Sequence, residues 1–271
     1  MNRGVLLKSI REVWLASLLF GLGFFVFEAL LAFVFPTFFD EMAGPLLNLP
    51  FFRNIIRALL GAEVGDSLGP KVLGSLAWVH PIALIIVAGH EIVFCTRVPA
   101  GEVDRGTMDV LLALPVSRWQ MYVSETIVWL GTGVVVLIMG VVGCLLGGSS
   151  VAPENRTELS LLVCIVANLF CLYLAVGGLA FLVSTLSDRR GRAIAVVFAL
   201  VLSSYFLNVL AQYSHIAEKI AFLSILHYYK PFAIMQNSGW PAKDMLVLAG
   251  CGAVLWTAGG IIFARRDICT S

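Results

Sequence analysis

The residues most able to do chemistry lie in one polar stretch, from His90 to Glu125, between two long apolar runs. The stretch begins with His90-Glu91, the start of the H-E-x-x-H pattern by which zinc proteases hold their metal. Position 94 is Phe rather than His, so two zinc ligands one helical turn apart cannot form. The chain contains no G-x-x-x-x-G-K-[ST] loop either, so we expect that it does not bind and split ATP by itself.

A charge-rich turn comes next, residues 101–107 with the sequence Gly-Glu-Val-Asp-Arg-Gly-Thr, and it leads into a short amphipathic run, residues 108–114. Thr107 is a good N-cap residue, and Asp109 falls in the first helical turn, where the helix dipole favours a carboxylate. Pro115 cannot continue a helix. The pattern predicts a helix of about two turns that lies along the membrane surface rather than crossing it. Taken alone, an ordinary loop with a charged face explains the pattern equally well.

Three residues of this stretch have further roles that follow from their chemistry. Glu102 can accept hydrogen bonds from backbone amides, from Arg105 or from an arginine of a partner protein. Gly106 allows a tight turn before the helix, including a positive φ that a larger residue would resist. Arg118 stands where the next apolar run begins, at the level of the lipid headgroups, where its side chain can snorkel to water.

The order of these residues resembles the cytoplasmic loop of ABC-2 type transporter permeases. In that family the loop reads close to E-x-x-R-G-T-x-x-x-L-L-x-x-P-x-S-R. The matching residues here are Glu102, Arg105, Gly106, Thr107, Leu111, Leu112, Pro115, Ser117 and Arg118. The family often continues with Gly-Lys, where this chain has Ser124-Glu125, so an acidic residue replaces a basic one.

The resemblance implies a membrane permease subunit with six spans and no ATPase of its own. Such a subunit pairs with a second copy or a sister permease and recruits two ATPase subunits. These bind ATP and Mg²⁺, so no cofactor is expected in this chain. The loop over residues 97–118 would sit in a cleft of the ATPase and pass its movement to the spans, usually for export. The residues implied to contact the ATPase are Glu102, Arg105, Gly106, Thr107, Leu111, Pro115 and Arg118.

The composition separately indicates an integral membrane protein. Of the 271 residues, 59% are hydrophobic and only 13% are charged, whereas soluble domains have about 25% charged residues. The mean hydropathy is +0.94. The six cysteines fall in or beside apolar runs and form no C-x-x-C pair, so we interpret them as small buried side chains. A net charge of +1 gives no indication of a nucleic-acid partner.

Six apolar runs are long enough to cross a bilayer, which takes about 20 residues per crossing. They lie near residues 14–35, 72–94, 121–147, 159–186, 193–213 and 245–264. The first is too long for a cleaved signal peptide, and no A-x-A-like site follows it. The fold predicted is an all-α integral membrane protein, a single transmembrane domain over residues 1–271.

The placement of Lys and Arg indicates the orientation. With the N-terminus inside, eleven basic residues fall on the inner side and seven on the outer side. The turn over residues 188–192 and the pair Arg265-Arg266 contribute most to this bias. We therefore expect both termini and the charged loop in the cytoplasm, and the protein in the plasma or inner membrane.

Three shorter segments are predicted to lie at the membrane surface. Residues 1–13 are either an amphipathic elbow helix, common in ABC-2 permeases, or a basic tail before the first span. Residues 50–60 form an apolar stripe at helical spacing with a polar opposite face, which predicts an interfacial helix on the outer side. Residues 217–226 are too short to cross the bilayer and are followed by aromatic residues, which predicts a re-entrant or interfacial segment.

Polar residues within the predicted spans are the remaining candidates for function. Asn168 lies in the middle of the fourth run, and Ser204 and Asn208 lie one helical turn apart in the fifth. These side chains either line a transport pathway or hydrogen-bond between helices, which is worth about 1 kcal/mol.

Two other features of the spans lead to expectations about packing. Glu28 lies in the outer half of the first run, where we expect its carboxylate to reach the interface. The pair Gly143-x-x-x-Gly147 in the third run predicts close approach of a second helix.

A function of another class would be an ATP-independent one, either a secondary carrier or a membrane scaffold. A carrier would need an ion-coupling cluster of carboxylates deep in the spans, which the sequence does not suggest. A scaffold would not need so detailed a loop motif. An adjacent gene for a P-loop ATPase without spans of its own would favour the permease over both.

Overall fold

The computed structural model describes residues 3–47, 49–60, 70–113 and 115–266, and every regular element in these ranges is helical. The prediction of an all-α fold is therefore confirmed for this part of the chain. The α-helices are α1 Arg3–Leu47, α2 Pro50–Leu60, α3 Pro70–Val79, α4 Pro81–Cys95, α5 Glu102–Asp104, α6 Met108–Leu112, α7 Arg118–Ser149, α8 Leu159–Leu186, α9 Arg190–Leu210, α10 His215–Ile220, α11 Pro231–Asn237 and α12 Ala242–Arg265.

Six helical segments among the described residues are long and apolar enough to cross a membrane. They are Arg3–Thr37, Val72–Cys95, Arg118–Ser149, Pro153–Leu186, Arg190–Leu210 and Ala242–Arg265. Each overlaps one of the six predicted runs. Helices suit this role because the bilayer core offers no water, so backbone N–H and C=O groups must bond within the segment.

The first helix differs from the prediction at its N-terminal end. No separate elbow helix occurs there, because the residues from Arg3 onward belong to the same helix as the first span. Val5, Ser9 and Val13 are buried against the rest of the chain at helical spacing. One face of this segment therefore packs against the rest of the chain, while Leu7 and Ile10 of the same segment remain exposed.

The second predicted span is built from two helices, α3 and α4, that meet at His80. Pro81 begins α4 and has no N–H, so it cannot continue the hydrogen bonding of α3. The ring Nδ1 of His80 accepts a hydrogen bond from the N–H of Ile82 at 3.3 Å and so satisfies one free donor of the new helix.

Two helix pairs, α1 with α7 and α8 with α12, pack along much of their lengths. At Gly143 a Cβ would meet the carbonyl group of Phe25, and at Gly147 it would meet that of Ala29. Only glycine lets two helix backbones approach so closely. The close packing predicted from Gly143-x-x-x-Gly147 is therefore confirmed, and its partner is α1.

The shorter helices between the spans occur where two of the surface segments were predicted. α2 matches residues 50–60. The segment near residues 217–226 is divided among α10 and two 3₁₀ turns, Ala221–Leu223 and Ile225–Tyr228, with α11 following. Tyr229 at the end of this segment donates a hydrogen bond to the carbonyl oxygen of Trp78 at 3.1 Å, so the segment is fastened to α3.

The glycine contact between α1 and α7 gives a testable expectation. Gly143→Leu should destabilise the protein by about 1–3 kcal/mol, because its side chain overlaps the α1 backbone. Gly148→Leu, on the same helix, is the matched control, since a Cβ there meets no atom within 4 Å. Thermal unfolding of the purified protein in nanodiscs measures both variants, and equal stability of the two would contradict the packing described.

Candidate functional site

The charged loop between α4 and α7 is a series of short turns rather than an extended coil. An irregular turn, Arg97–Gly101, follows α4 and leads into α5. The chain then turns at Gly106, whose φ is +67°, and enters α6. The tight turn predicted at Gly106 is confirmed, with the positive φ that favours glycine. α6 ends at Leu112, so it is shorter than predicted, and Leu114 lies outside the described residues.

Glu102 is the centre of the loop. Its carboxylate is buried, accepts a hydrogen bond from Nζ of Lys8 at 3.1 Å and pairs with the guanidinium of Arg105 at 2.9 Å. The hydroxyl of Thr107 also donates to it. The interaction with Arg105 was predicted, whereas the link to Lys8 on α1 was not. Through this link the loop is attached to the first helix.

The contacts of Glu102 keep it ionised. Burial alone would raise the pKa of Glu102, but the hydrogen bonds from Thr107 and Lys8 and the positive charges of Lys8 and Arg105 outweigh it and lower the pKa. A depressed pKa contributes stability that is present above the unfolded-state pKa. That contribution is lost only as the pH falls through the lowered value.

Thr107 does not have the role expected from its type. It occupies the N-cap position of α6, but its side chain makes no capping hydrogen bond to that helix. Its hydroxyl instead bonds the carboxylate and, at 3.3 Å, the carbonyl oxygen of Glu102. The N-cap prediction was wrong because a buried carboxylate competes for the same hydroxyl, and hydrogen bonds to charged groups are the stronger ones.

A second ionic cluster lies beneath the loop, around Arg97. Its guanidinium pairs with Glu125 of α7 and with Glu12 of α1, and the hydroxyl of Ser9 donates to Glu125. Lys8 also lies 3.4 Å from Glu12. Glu125 is the acidic residue that departs from the family pattern, and the structure places it as the buried counter-ion of Arg97 rather than at the surface.

The two faces of α6 have different environments. Met108 and Leu111 are buried against the chain's own core, whereas Val110 is 69% exposed. Leu111 was predicted to contact a partner, but in this structure its side chain attaches α6 to the bundle. Val110 was not among the residues predicted to contact a partner, and with Asp109 it forms the outward face of this helix. The i, i+3 spacing of Met108 and Leu111 was the available signal.

The end of the loop is defined by a cap and an arginine. Pro115 is exposed and follows α6, as expected for a residue that cannot continue a helix. Ser117 and Gln120 form a reciprocal capping box at the start of α7. The guanidinium of Arg118 donates to the carbonyl oxygens of Phe263 and Arg266, so its predicted snorkelling is replaced by a bond to the end of α12.

The loop also contacts the start of α9 and the end of α8. The backbone N–H of Arg190 donates to Asp104 at 3.3 Å, and its guanidinium donates to the carbonyl oxygen of Val93 at 2.8 Å. The N–H of Ala100 donates to the hydroxyl of Ser184 at 3.2 Å. Sequence reasoning did not reveal these contacts, because they join residues more than 80 positions apart.

His90 takes part in a buried hydrogen-bond chain. Its ring nitrogens lie 3.2 Å from the hydroxyl of Ser17 and 3.3 Å from that of Tyr173. Tyr173 in turn donates to the carbonyl oxygen of Trp129 at 3.0 Å. His90 thereby joins α1, α4, α7 and α8 in the middle of the bundle.

Two of the three candidate pathway residues, Asn168 and Ser204, contact the segment between α9 and α12. Asn168 donates to the carbonyl oxygen of Tyr228 at 3.2 Å and accepts from the N–H of Lys230 at 3.0 Å. Ser204 and Ser224 have their hydroxyls 2.9 Å apart. Asn208 is half-buried. Asn168 and Ser204 therefore fasten the segment between α9 and α12 to α8 and α9, which is the packing alternative.

Glu28 does not reach the membrane interface, although we expected its carboxylate to do so. It is fully buried within the bundle, and neither carboxylate oxygen has a hydrogen-bond partner among the described residues. The helical face that carries Glu28 also carries Phe24 and Leu31, which are buried as well. The prediction was wrong because this face is covered by the other helices.

Comparison with known proteins agrees with the motif in the loop. Residues 10–268 match the family described as ABC-2 family transporter protein. The match includes the charged loop and nearly all of the six long helical segments. A comparison with curated proteins finds no significant match.

The ionic cluster at Arg97 predicts different losses of stability when each of its two carboxylates is neutralised. Glu125→Gln should lower the stability by about 3 kcal/mol, because it removes one partner of a buried guanidinium. Glu12→Gln should lower it by about 0–1 kcal/mol, because that side chain is 36% exposed and water can replace it. Thermal unfolding in nanodiscs compares the two. A larger effect of Glu12→Gln would show that Glu125 is not the principal partner.

Proposed function

The chain belongs to the ABC-2 family of transporter proteins, and on that premise we propose that it is the membrane permease of an ATP-driven transporter. A separate ATPase subunit docks on the charged loop, binds ATP and Mg²⁺, and supplies the energy of hydrolysis. The observation that supports this most is the construction of the loop, which is attached to several long helices and still presents an exposed face.

The attachments allow a force on the loop to act on several helices at once. Glu102 links the loop to α1 through Lys8, and Arg97 links it to α7 through Glu125. Asp104 links it to the start of α9. When ATP closes the ATPase dimer, a displacement of α5 and α6 is passed to these helices through hydrogen-bonded contacts. A loop attached only at its two ends would bend under the same force and would not pass the displacement to these helices.

The docking face consists of the exposed residues of the loop. Asp109 and Val110 face outward on α6, and Arg105, Gly106 and Pro115 are exposed beside them. Val110 supplies an apolar centre and Arg105 a charged rim, the usual composition of a protein interface. Met108 and Leu111 lie on the opposite side of α6 and join it to the bundle.

The transporter is assembled from more than this chain. Six spans are half of the usual twelve, so the chain pairs with a second copy or with a sister permease, and two ATPase subunits complete the complex. Only two residues of α9, Ala193 and Val197, are buried. Most of the surface of this helix is therefore left for lipid or a second permease. The usual direction of the family makes export the expected direction.

The orientation follows from the basic residues of the inner segments. The loop, both termini and the turn between α8 and α9 face the cytoplasm, and the protein lies in the plasma or inner membrane. The ion pair of Arg266 with Asp188 joins the end of α12 to that turn, so the segments assigned to the cytoplasm lie at one end of the bundle.

Docking on the loop is tested with Val110→Arg and Gly106→Val. The first puts a charge at the centre of the apolar face, and the second forces a β-branched residue into a positive φ. Each should reduce the amount of ATPase that co-purifies with the permease by about tenfold, the effect of 1.4 kcal/mol in binding.

The control for docking is Arg189→Glu, a charge change on an exposed residue of the turn before α9. It should leave the co-purified ATPase near the wild-type amount, and all three variants should insert and remain monodisperse. Wild-type ATPase recovery with both Val110→Arg and Gly106→Val would place the docking site elsewhere.

The orientation is tested by labelling cysteine at position 104 in a background without native cysteines. Asp104 is exposed in the loop, so Asp104→Cys should react with a membrane-impermeant maleimide only after the cells are opened. Cysteine at Ile216, an exposed residue of α10, should react in intact cells. The reverse pattern would show that the loop faces outward.

A further inference from the structure

A cleft runs between α1 and α4 at the end of the bundle that carries the charged loop. Its lining residues come from these two helices, from the loop and from the start of α9. Glu12 and Arg97 lie at the loop end of the cleft, and Phe20 and His90 lie at the deeper end. An α-helix rises 1.5 Å per residue, so the distance along α1 from Glu12 to Phe20 is about 12 Å.

Positive charge predominates in the lining of this cleft. Among the described residues, the charged groups that line it are three arginines, Arg97, Arg105 and Arg190, and one carboxylate, Glu12. Glu12 is already paired with Arg97. Polar atoms supply much of the cleft surface, so charged groups are open to a ligand. The charges of Arg97 and Arg105 also repel that of Arg190, and a bound anion would relieve this repulsion.

Arg190 is the least neutralised of the three arginines. Its guanidinium donates to the carbonyl oxygen of Val93 at 2.8 Å and makes no ion pair among the described residues. Asp104 attracts it, but the carboxylate of Asp104 accepts the backbone N–H of Arg190 instead. At Gly101 a Cβ would lie 3.1 Å from Cδ of Arg190, so the arginine stem packs on the loop backbone. The half-buried guanidinium is therefore held at the cleft with N–H donors that no described residue uses.

The middle of the cleft is apolar and borders the membrane-facing surface. Ala16 of α1 and Val93 of α4 line it, and Val93 is 38% exposed. Leu19, beside the cleft on α1, is 60% exposed, and exposed apolar side chains of a span contact lipid. The polar groups at the deep end, Ser17 and His90, lie 3.2 Å apart and satisfy each other. The cleft thus joins a positively charged end to an apolar wall along two membrane-spanning helices.

We propose that this cleft binds an anionic phospholipid, with the phosphate on the guanidinium groups of Arg105 and Arg190 and one acyl chain along the apolar wall. As a binding site the cleft does not depend on the proposed function. The proposed orientation adds only that the lipid belongs to the cytoplasmic leaflet. Arg105 is also on the rim of the proposed docking face, so the bound headgroup lies beside the ATPase.

The two ends of the cleft together favour this ligand over others. Arginine binds phosphate through charge-assisted, often bidentate hydrogen bonds, and basic pockets between membrane helices bind anionic lipid headgroups. A soluble anion would satisfy the arginines but leave the apolar wall uncovered. A lipid without net charge would cover the wall but leave Arg190 without a counter-charge.

The site is tested by native mass spectrometry of the purified permease in a neutral detergent, with no ATPase present. The protein is titrated with dioleoyl phosphatidylglycerol and, separately, with dioleoyl phosphatidylcholine. The two lipids have the same acyl chains, but only the first has a net negative charge. The wild type should bind phosphatidylglycerol about tenfold more tightly, the effect of a hydrogen bond between charged groups. Equal affinities would overturn the proposal.

The role of Arg190 is tested with Arg190→Gln, which should weaken the binding of phosphatidylglycerol by about tenfold and leave that of phosphatidylcholine unchanged. The matched control is Arg189→Gln, the same charge change on an exposed neighbour that does not line the cleft. It should bind both lipids as the wild type does. Equal losses in the two variants would mean that the basic surface attracts the lipid without a specific site, and would overturn the proposal.

The apolar wall is tested with Ala16→Phe, which fills the middle of the cleft from α1 and should weaken the binding of phosphatidylglycerol by about tenfold. Leu18→Phe, at a 47% exposed position outside the cleft, is its control and should have no effect. An excess of inorganic phosphate should not displace the lipid from the wild type. Displacement by phosphate, with unchanged lipid binding to Ala16→Phe, would show that the site takes a soluble anion.

A second charge variant keeps the test decisive if Arg190→Gln does not fold. Arg105→Gln should weaken the binding of phosphatidylglycerol by about threefold, a smaller loss because the Arg105 side chain is 52% exposed. Unchanged binding to Arg105→Gln and Ala16→Phe would exclude the cleft. If an acidic segment of the ATPase occupied the cleft instead, the wild type would show no preference between the lipids. The docking of the ATPase on the loop is measured separately, by its co-purification with Val110→Arg and Gly106→Val.

Discussion

The end of the bundle that carries the charged loop depends on the burial of one arginine. Arg97 lies two residues after the end of α4, and its guanidinium carries a positive charge. A buried charge of this kind must have carboxylate partners close by. Glu12 supplies one from α1 and Glu125 supplies the other from α7. Three helix ends that are far apart in sequence are therefore held in one place, and the charged loop starts from that point.

The sequence predicted the elements of this arrangement better than their contacts. Hydropathy located all six long helical segments, because each needs about 20 apolar residues in a row. The turn at Gly106 followed from local chemistry. Lys8 and Glu125, however, owe their roles to partners almost 100 and 28 residues away along the chain. A single sequence offers no signal for which charges will meet once helices pack.

The incorrect expectations share a cause. The hydroxyl of Thr107 was expected to cap α6, and the carboxylate of Glu28 to reach water, because each is the usual choice of an isolated segment. In the folded chain Glu102 takes the hydroxyl, and neighbouring helices cover the face of Glu28. Local propensity sets the partner or environment that a residue favours, but tertiary packing decides which partners and how much water it has in the folded chain.

The polar residues of the spans fall into two groups. Some make hydrogen bonds between helices, and others have an oxygen without a hydrogen-bond partner among the described residues. Asn168 and Ser204 make hydrogen bonds that hold the segment between α9 and α12, as interhelical polar groups commonly do. Glu91 has one carboxylate oxygen, Oε1, without a hydrogen-bond partner among the described residues, although the carboxylate also interacts with the backbone of Gly177 on α8. A buried ionisable group in a span that is only partly satisfied is a candidate for function.

The helix α9 connects the loop to an apolar cavity that residues of α4, α8 and α9 line. At one end the N–H of Arg190 bonds Asp104 of the loop, and further along Val201 forms part of the cavity wall. Ser204 of the same helix bonds Ser224, next to the turn Ile225–Tyr228, which contributes lining residues to the cavity. A displacement of α9 by the loop would therefore move one wall and one end of the cavity together. Few residues of α9 are buried, so it is also the long helix least restrained by the rest of the bundle.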